Sequence, residues 1–362
     1  MSHTSALLSS PSSAWSEPDL RVPPAHTRII EIRWTREEAE QLVAALTRRR
    51  LITGAAATAL IAALAGESVL AQESTPASGT RMFDTAMGPV EIPVNPTRIL
   101  CLGSYAPEDL VDAGVTPIGI TETDLEGFAS VYKEALKDVP TVGTFAEPDL
   151  EKIIALKPDL ILAISVDWLV SSYEDLSRIA PTVLVDYTVP NAWLVMADIF
   201  ADAAGAVEGL EQIKGVYANR VNEIKTTYAE QLSTLRWGVA NGWGSQDNQY
   251  TLYYPDSAPG KVLSDLGALW VEAVIGKTGT NQLYSYEELN LLADADIILT
   301  YGPRDGEIEE NGQVMADQPI FKQLKATQNN HVYAFTNVIP GSYGDAISLL
   351  DKLEGILKTF AA

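Results

Sequence analysis

The chain of 362 residues has one cysteine and three histidines. A single thiol forms no internal disulfide, and Cys101, inside the apolar run RILCLG, is expected to be buried. Among the histidines, His3, His26 and His331, only the last stands beyond the N-terminal leader. Clustered imidazoles for a zinc site are therefore missing, and a Ser-His-Asp triad could draw on His331 alone. That residue opens the strand-like NNHVYAF, where a structural role is expected. Basic residues are scarce as well. The formal net charge is −23, and the acidic excess lies entirely downstream of Gln72. Such a body repels a phosphate backbone, so nucleic acid is not the expected partner. The same acidity favours solubility and can steer a basic docking partner. Gly-x-Ser-x-Gly and Gly-x-x-x-x-Gly-Lys-[Ser/Thr] are both absent, and Asn241-Gly242-Trp243-Gly244 is too sparse for a nucleotide loop. An exported enzyme with an interlobe active site thus lacks a nucleophile elbow and a phosphate cradle.

The longest apolar run, Leu51 to Ala65, is about 15 residues and short for a membrane span. Arg48, Arg49 and Arg50 precede it, and Val69-Leu70-Ala71 offers small residues for cleavage before Gln72. These are the three parts of an export signal. Thr47-Arg48-Arg49-Arg50-Leu51-Ile52 also fits the twin-arginine pattern. No cysteine follows the apolar core, so lipid attachment at a mature N-terminal cysteine is not expected. The expected organisation is an N-terminal extension (1–46), a signal (47–72), a linker (73–80), an N-terminal α/β lobe (81–190), a helical spine (191–234) and a C-terminal α/β lobe (235–362).

EPDLEKIIALKPDLILA, residues 147–163, reads as a cap, a short helix, a break and a strand. Asp149 can cap the orphan amides of a helix starting at Leu150. Ile153, Ile154 and Leu156 would supply its buried side, and Pro158 would stop it. Leu160 to Ala163 is a continuous apolar run, as in a strand covered on both faces. YSYEELNLLADADIILT, residues 284–300, repeats the order. There Ser285 and Glu288 form a Ser-x-x-Glu capping box before a short helix and the run Ile297-Ile298-Leu299. In both copies a glutamate stands two residues after the cap: Glu151 after Asp149, and Glu287 after Ser285. Upstream, 98–120 and 236–273 share a strand-loop-helix-strand order, their helices ending in Asp112-Ala113-Gly114 and Asp265-Leu266-Gly267. Helices alternating with buried strands imply parallel sheets. A doubled pattern therefore implies two Rossmann-like α/β lobes. Between them, 191–232 carries apolar residues at helical spacing, with Gly205 and Gly209 marking a break before a long helix. A long helix would hold the lobes at a nearly fixed angle, with a ligand cleft between them at the carboxyl ends of the strands.

GPVEIPVNPTRILCLGS, VGTFAEPDLEKIIALKPDLILA, YEDLSRIAPTVLV, GKVLSDLGAL, SYEELNLLADADIILT and LKATQNNHVYAF stand in the order seen in a known family and span roughly 81–360. The chain resembles the periplasmic binding proteins that feed ferric-siderophore, haem and cobalamin ABC importers, the two-lobed class with a helical spine. The resemblance implies a non-enzymatic, extracytoplasmic monomer without a cofactor, which captures a ferric siderophore and delivers it to a membrane permease. Cobalamin or haem is the alternative cargo. It further implies that one glutamate per lobe pairs with permease arginines, and the matching positions are Glu151 and Glu287. Independently, a carboxylate in a first helical turn is favoured by the helix dipole.

Loops that follow strands supply the candidate ligand contacts. They are Ser104, Tyr105, Phe145, Asp167 and Trp168 in the first half, and Trp243, Tyr301, Arg304 and Tyr343 in the second. Aromatic faces suit a bulky, partly apolar chelate. Six arginines follow the leader, and Arg304, in YGPRDG directly after a strand, has a planar fork suited to carboxylate, catecholate or hydroxamate oxygen. Asp305 beside it could neutralise it. The metal of a ferric siderophore is already wrapped by the ligand, so no metal-ligating residues are required of the protein.

Overall fold

The computed structural model describes residues 79–122, 130–242 and 248–361. The expectations for the leader, for most of the linker and for Trp243 lie outside these residues.

A hairpin of β1 (Thr80–Thr85) and β2 (Gly88–Pro93) leads into a four-stranded, all-parallel sheet. Its strands are β3 (Ile99–Leu102), β4 (Gly119–Ile120), β5 (Leu160–Ile164) and β6 (Thr182–Val185), in spatial order β4-β3-β5-β6. Every residue of β3, β5 and β6 is buried, which is why these strands read as unbroken apolar runs. Cys101 lies in the middle of β3 and is fully buried. The flanking helices are α1 (Ala106–Asp112), α2 (Ser130–Leu136), α3 (Leu150–Leu156), α4 (Asp167–Ser171) and α5 (Tyr173–Ile179). In α3, Asp149 Oδ1 accepts from the amides of Glu151 and Lys152, each at 3.1 Å, as its cap position requires. Ile153 is buried and Leu156 half-buried, but Ile154 is 56% exposed, beside Glu151 on the outer face. A seven-residue helix presents too narrow a stripe to bury all three.

The spine runs as α6 (Ala192–Ala203), α7 (Val207–Thr227) and α8 (Ala229–Thr234). Only one of the two glycines breaks it. Gly205 has φ 69 and separates α6 from α7. Gly209 is inside α7, where a Cβ would stand 2.1 Å from the carbonyl oxygen of Ala113, so it permits close backbone approach and not a break.

The second sheet contains β7 (Arg236–Asn241), β8 (Gln249–Tyr253), β9 (Leu269–Trp270), β10 (Asn281–Ser285), β11 (Ile297–Tyr301) and β12 (Val332–Phe335). Its parallel part, β9-β7-β11-β12, repeats β4-β3-β5-β6 strand for strand. The extra length of this half becomes β8 and β10, which pair antiparallel on one edge. The connecting helices are α9 (Ala258–Leu266), α10 (Glu310–Ala316), α11 (Pro319–Gln323) and α12 (Lys325–Gln328), with α13 (Tyr343–Phe360) last. Tyr286–Leu292, expected as a short helix, is a 3-10 helix with the Ser285–Glu288 capping box formed.

Each lobe has its own hydrophobic core, and the second continues into α7 and α13. Arg220 of α7 fastens α13 to the spine, donating to Asp351 at 2.8 Å and Glu354 at 2.5 Å. Within the first lobe Tyr132 of α2 donates to Asp112 at 2.7 Å, and between the lobes it meets the Ser342 hydroxyl at 2.7 Å while the Gly344 amide donates to Asp112 at 2.9 Å. His331 opens β12 with its ring 4.5 Å from Phe360, a packing role.

Candidate ligand cleft and docking residues

The chain leaves β3 through Gly103, φ 84, whose absent Cβ would stand 2.3 Å from the Phe145 ring. Glycine therefore lets Phe145 cover the carboxyl end of the strand. Ser104 follows, exposed. Tyr105 then takes φ 76 and ψ −55 at the start of α1, a γ-turn closed by the Ala106 amide donating to the Ser104 carbonyl at 3.1 Å, and such strained backbone costs about 1–3 kcal/mol and concentrates at functional positions. Trp168, at the start of α4, meets Phe145 edge-on at 5.1 Å and is 40% exposed. Asp167 beside it is exposed. Thus Ser104, Tyr105, Phe145 and Trp168 gather at the carboxyl edge of the first sheet.

In the second lobe, Tyr301 ends β11 in register with Phe335 and is half-buried. Gly302 lets the following turn fold on itself, since a Cβ there would stand 1.9 Å from the Glu307 carbonyl oxygen. Arg304 stands on this turn with its side chain 74% exposed, 3.8 Å from Glu307. Asp305 is not its partner, being bonded to Lys352 at 2.8 Å. Tyr343, expected among the cleft contacts, is turned inward instead. It begins α13, which lies against the spine, and its ring packs edge-on to Trp193 at 5.1 Å and Tyr217 at 5.7 Å, buried.

A cavity of about 170 Å³ joins the lobes and the spine, its walls including Tyr105, Tyr187, Asn191, Trp193, Tyr253 and Ile339. This is below the roughly 300–1,000 Å³ usual for drug-sized ligands. A bulky chelate would fill it only in part and spread over the exposed rim. Sequence reasoning missed Tyr187 and Tyr253. Tyr187 follows β6 as Ser104 follows β3, so the duplicated pattern held a signal for it. Tyr253 sits on β8, outside the repeat, and carried none.

Behind Tyr105 the structure buries a group of acids that the sequence concealed. Glu108 and Asp109 of α1 are inaccessible, and Glu108 Oε2 and both Asp109 carboxyl oxygens have no hydrogen-bond partner among the described residues. Burial, with Asp345 nearby, pushes the Glu108 carboxyl up to about 8, and backbone amides of Glu108 and Tyr105 offset this only in part. Burial, then Asp112 and Glu108, raises Asp109, and burial raises Asp112 and Asp345 to about 6. Folding therefore holds protons that the unfolded chain has released, chiefly between pH 4.5 and 8 for Glu108. Stability falls as pH rises through that window. The thermal midpoint is expected to drop by several degrees between pH 5.5 and 8.5, with Glu108→Gln flattening the slope. A midpoint that stayed level or rose in the unsubstituted protein would show these carboxyls to be ionised in the fold.

Glu151 and Glu287 are both exposed, and neither has an ion-pair partner among the described residues. Their amides bind the caps alike, Glu151 to Asp149 at 3.1 Å and Glu287 to Ser285 at 3.2 Å. Each opens a helix at the carboxyl edge of its sheet. Asp149 donates its amide to Val142, just past the bridge pairing Thr141 with Ile120 of β4. Ser285 ends β10, which runs parallel to β7 because both oppose β8.

Two α/β lobes on a helical rod, with a cleft along the strands' carboxyl edges, define a solute-binding scaffold. Residues 100–338 match the family described as periplasmic binding protein, and the chain belongs to that family. It is 29% identical over 278 residues to the achromobactin-binding periplasmic protein of Dickeya dadantii, covering 72% of this chain and 86% of that one. Among solved structures, the siderophore periplasmic binding protein from the fuscachelin gene cluster of Thermobifida fusca is 28% identical, with a TM-score of 0.61, covering 74% of this chain and 98% of that one. Staphylococcus aureus SirA complexed with staphyloferrin B is 26% identical, with a TM-score of 0.62, covering 77% and 99%.

Proposed function

We propose that this protein captures a ferric siderophore in the interlobe cleft and delivers it to the permease of an ABC importer. The observation that carries the reading is the set of aromatic groups at one carboxyl edge, where Phe145 and Trp168 meet edge-on and Tyr105 and Tyr187 line a cavity shared with the other lobe. The relatives whose names specify achromobactin, the fuscachelin cluster and staphyloferrin B support the class of cargo. Ser104, Tyr105, Phe145, Trp168, Tyr301 and Arg304 are the proposed ligand contacts, with Trp243 retained from the sequence. Glu151 and Glu287 are the proposed permease contacts. The protein works as a monomer outside the cytoplasm, exported through the twin-arginine signal without lipid attachment, and has no role on nucleic acid.

Titration with a ferric siderophore will quench tryptophan fluorescence, and the iron-free form will bind more weakly. Arg304→Ala is expected to weaken binding about tenfold while leaving the thermal midpoint in place, since one exposed charge-assisted hydrogen bond is worth about 1.5 kcal/mol. No quenching by any ferric chelate would remove this function. An unchanged affinity would remove Arg304 from the site.

A further inference from the structure

The charge around the cleft narrows the cargo, an inference that rests on the siderophore reading above. Among the described residues lining the cavity there is no lysine, arginine or histidine. Five of the six arginines after the leader are held away from it. Arg81 binds Asp202, Arg98 binds the carbonyls of Leu156 and Lys157, Arg178 pairs with Asp175, Arg220 with Asp351 and Glu354, and Arg236 with Glu272. Only Arg304 stands on a carboxyl-edge loop, and Glu307 is 3.8 Å away.

The nearby lysines offer little more. Lys261, on the helix that starts at the lining residue Ala258, is bonded to Asp265 at 2.5 Å, and Lys352 to Asp305 at 2.8 Å. Lys277, ahead of the lining residues Thr280 and Asn281, is exposed to solvent.

A tris-catecholate or citrate-type ferric complex brings net negative charge, and desolvating it against this lining leaves only Arg304, at the rim, to offset that charge. Three hydroxamates cancel the charge of ferric iron outright. Their remaining needs are hydrogen-bond donors and apolar cover, which Asn191, Asn281, the phenols of Tyr105, Tyr187 and Tyr253, and Trp193 can meet. We propose that the cleft selects ferric chelates of zero or positive net charge, the trihydroxamate class, over polyanionic catecholate and carboxylate chelates.

Fluorescence titration of the whole protein at low ionic strength, with three probes, tests this. Ferrioxamine B is singly positive, ferrichrome neutral and ferric enterobactin triply negative. The positive and neutral complexes are expected to bind at least about tenfold tighter than the trianion, with the gap shrinking as salt is added. Asn281→Lys, which adds a cation to an exposed position on the cavity wall, should close that gap by about tenfold. Tighter binding of the trianion by the unsubstituted protein would overturn the charge selection and leave the siderophore function standing. A preference that Asn281→Lys leaves untouched would also overturn it. Binding of none of the three would overturn this selection, and binding of haem or cobalamin in their place would overturn the siderophore function with it.

Discussion

Replacing Glu151 and Glu287 together by lysine is expected to leave chelate affinity unchanged and to cut importer-dependent uptake by about a hundredfold or more. Both side chains stand in solvent with no ion-pair partner among the described residues, so the fold loses little. The first-turn dipole term for each carboxylate is about 0.3–1 kcal/mol. The backbone caps come from Asp149 and Ser285 and survive the change. Against a basic permease surface, each reversal replaces an attraction by a repulsion, and breaking one close charge pair at an interface costs about 2–5 kcal/mol. Two such losses exceed the hundredfold mark comfortably. A single reversal should give an intermediate defect, because the other lobe still docks. Normal transport by the double variant would remove the docking role. A parallel loss of ligand affinity would place these residues in the cleft instead.

The second large effect sets two glycines of one helix against each other. Helix propensity alone favours alanine over glycine by about 1 kcal/mol. At Gly215 a Cβ meets nothing within 4 Å, so Gly215→Ala should stabilise the protein by about that amount. At Gly209 the same methyl would lie 2.1 Å from the Ala113 carbonyl oxygen, a backbone atom with no rotamer to yield. Gly209→Ala must therefore push the spine off the first lobe. A loss of about 3 kcal/mol or outright failure to fold is expected, at or beyond the upper end of overpacking costs. Chemical denaturation of the two variants, side by side, checks both signs at once. Equal stabilisation of both would mean that α7 does not approach α1 as closely as described.

Much of this fold was legible because it is written twice. Buried parallel strands leave apolar runs, and the caps at Asp149 and Ser285 announce where the helices begin. The matching strand orders in the two sheets follow from that repetition. What escaped lies where the repeat fails or where tertiary contact overrides local pattern. β8 and β10 belong to an insertion with no counterpart in the first half. Gly209 looks like a helix breaker until the carbonyl above it is known. Tyr343 follows a loop as a cleft residue would, yet the packing of α13 turns it inward. Glu108 and Asp109 resemble an ordinary acidic first turn, and only the packing of α6 and α13 against α1 removes them from water. Of the candidate ligand contacts, those from the first half come together visibly, because one sheet edge gathers them. Tyr301 and Arg304 lie on the facing lobe, and their approach depends on an interlobe angle that no local pattern encodes.

The chain passes from one lobe to the other only once, along α6 and α7, before α13 turns back against the first. Every strand of the first sheet precedes residue 186, so that half can fold while the remainder is still emerging from the ribosome. The bonds that pin the halves together do not share this timing. Tyr132 waits for Ser342 and Asp112 for Gly344, partners more than two hundred positions downstream. The final angle between the lobes is thus fixed at the end of synthesis, and a nascent protein halted before α13 would hold a finished first half that still lacks its clasp.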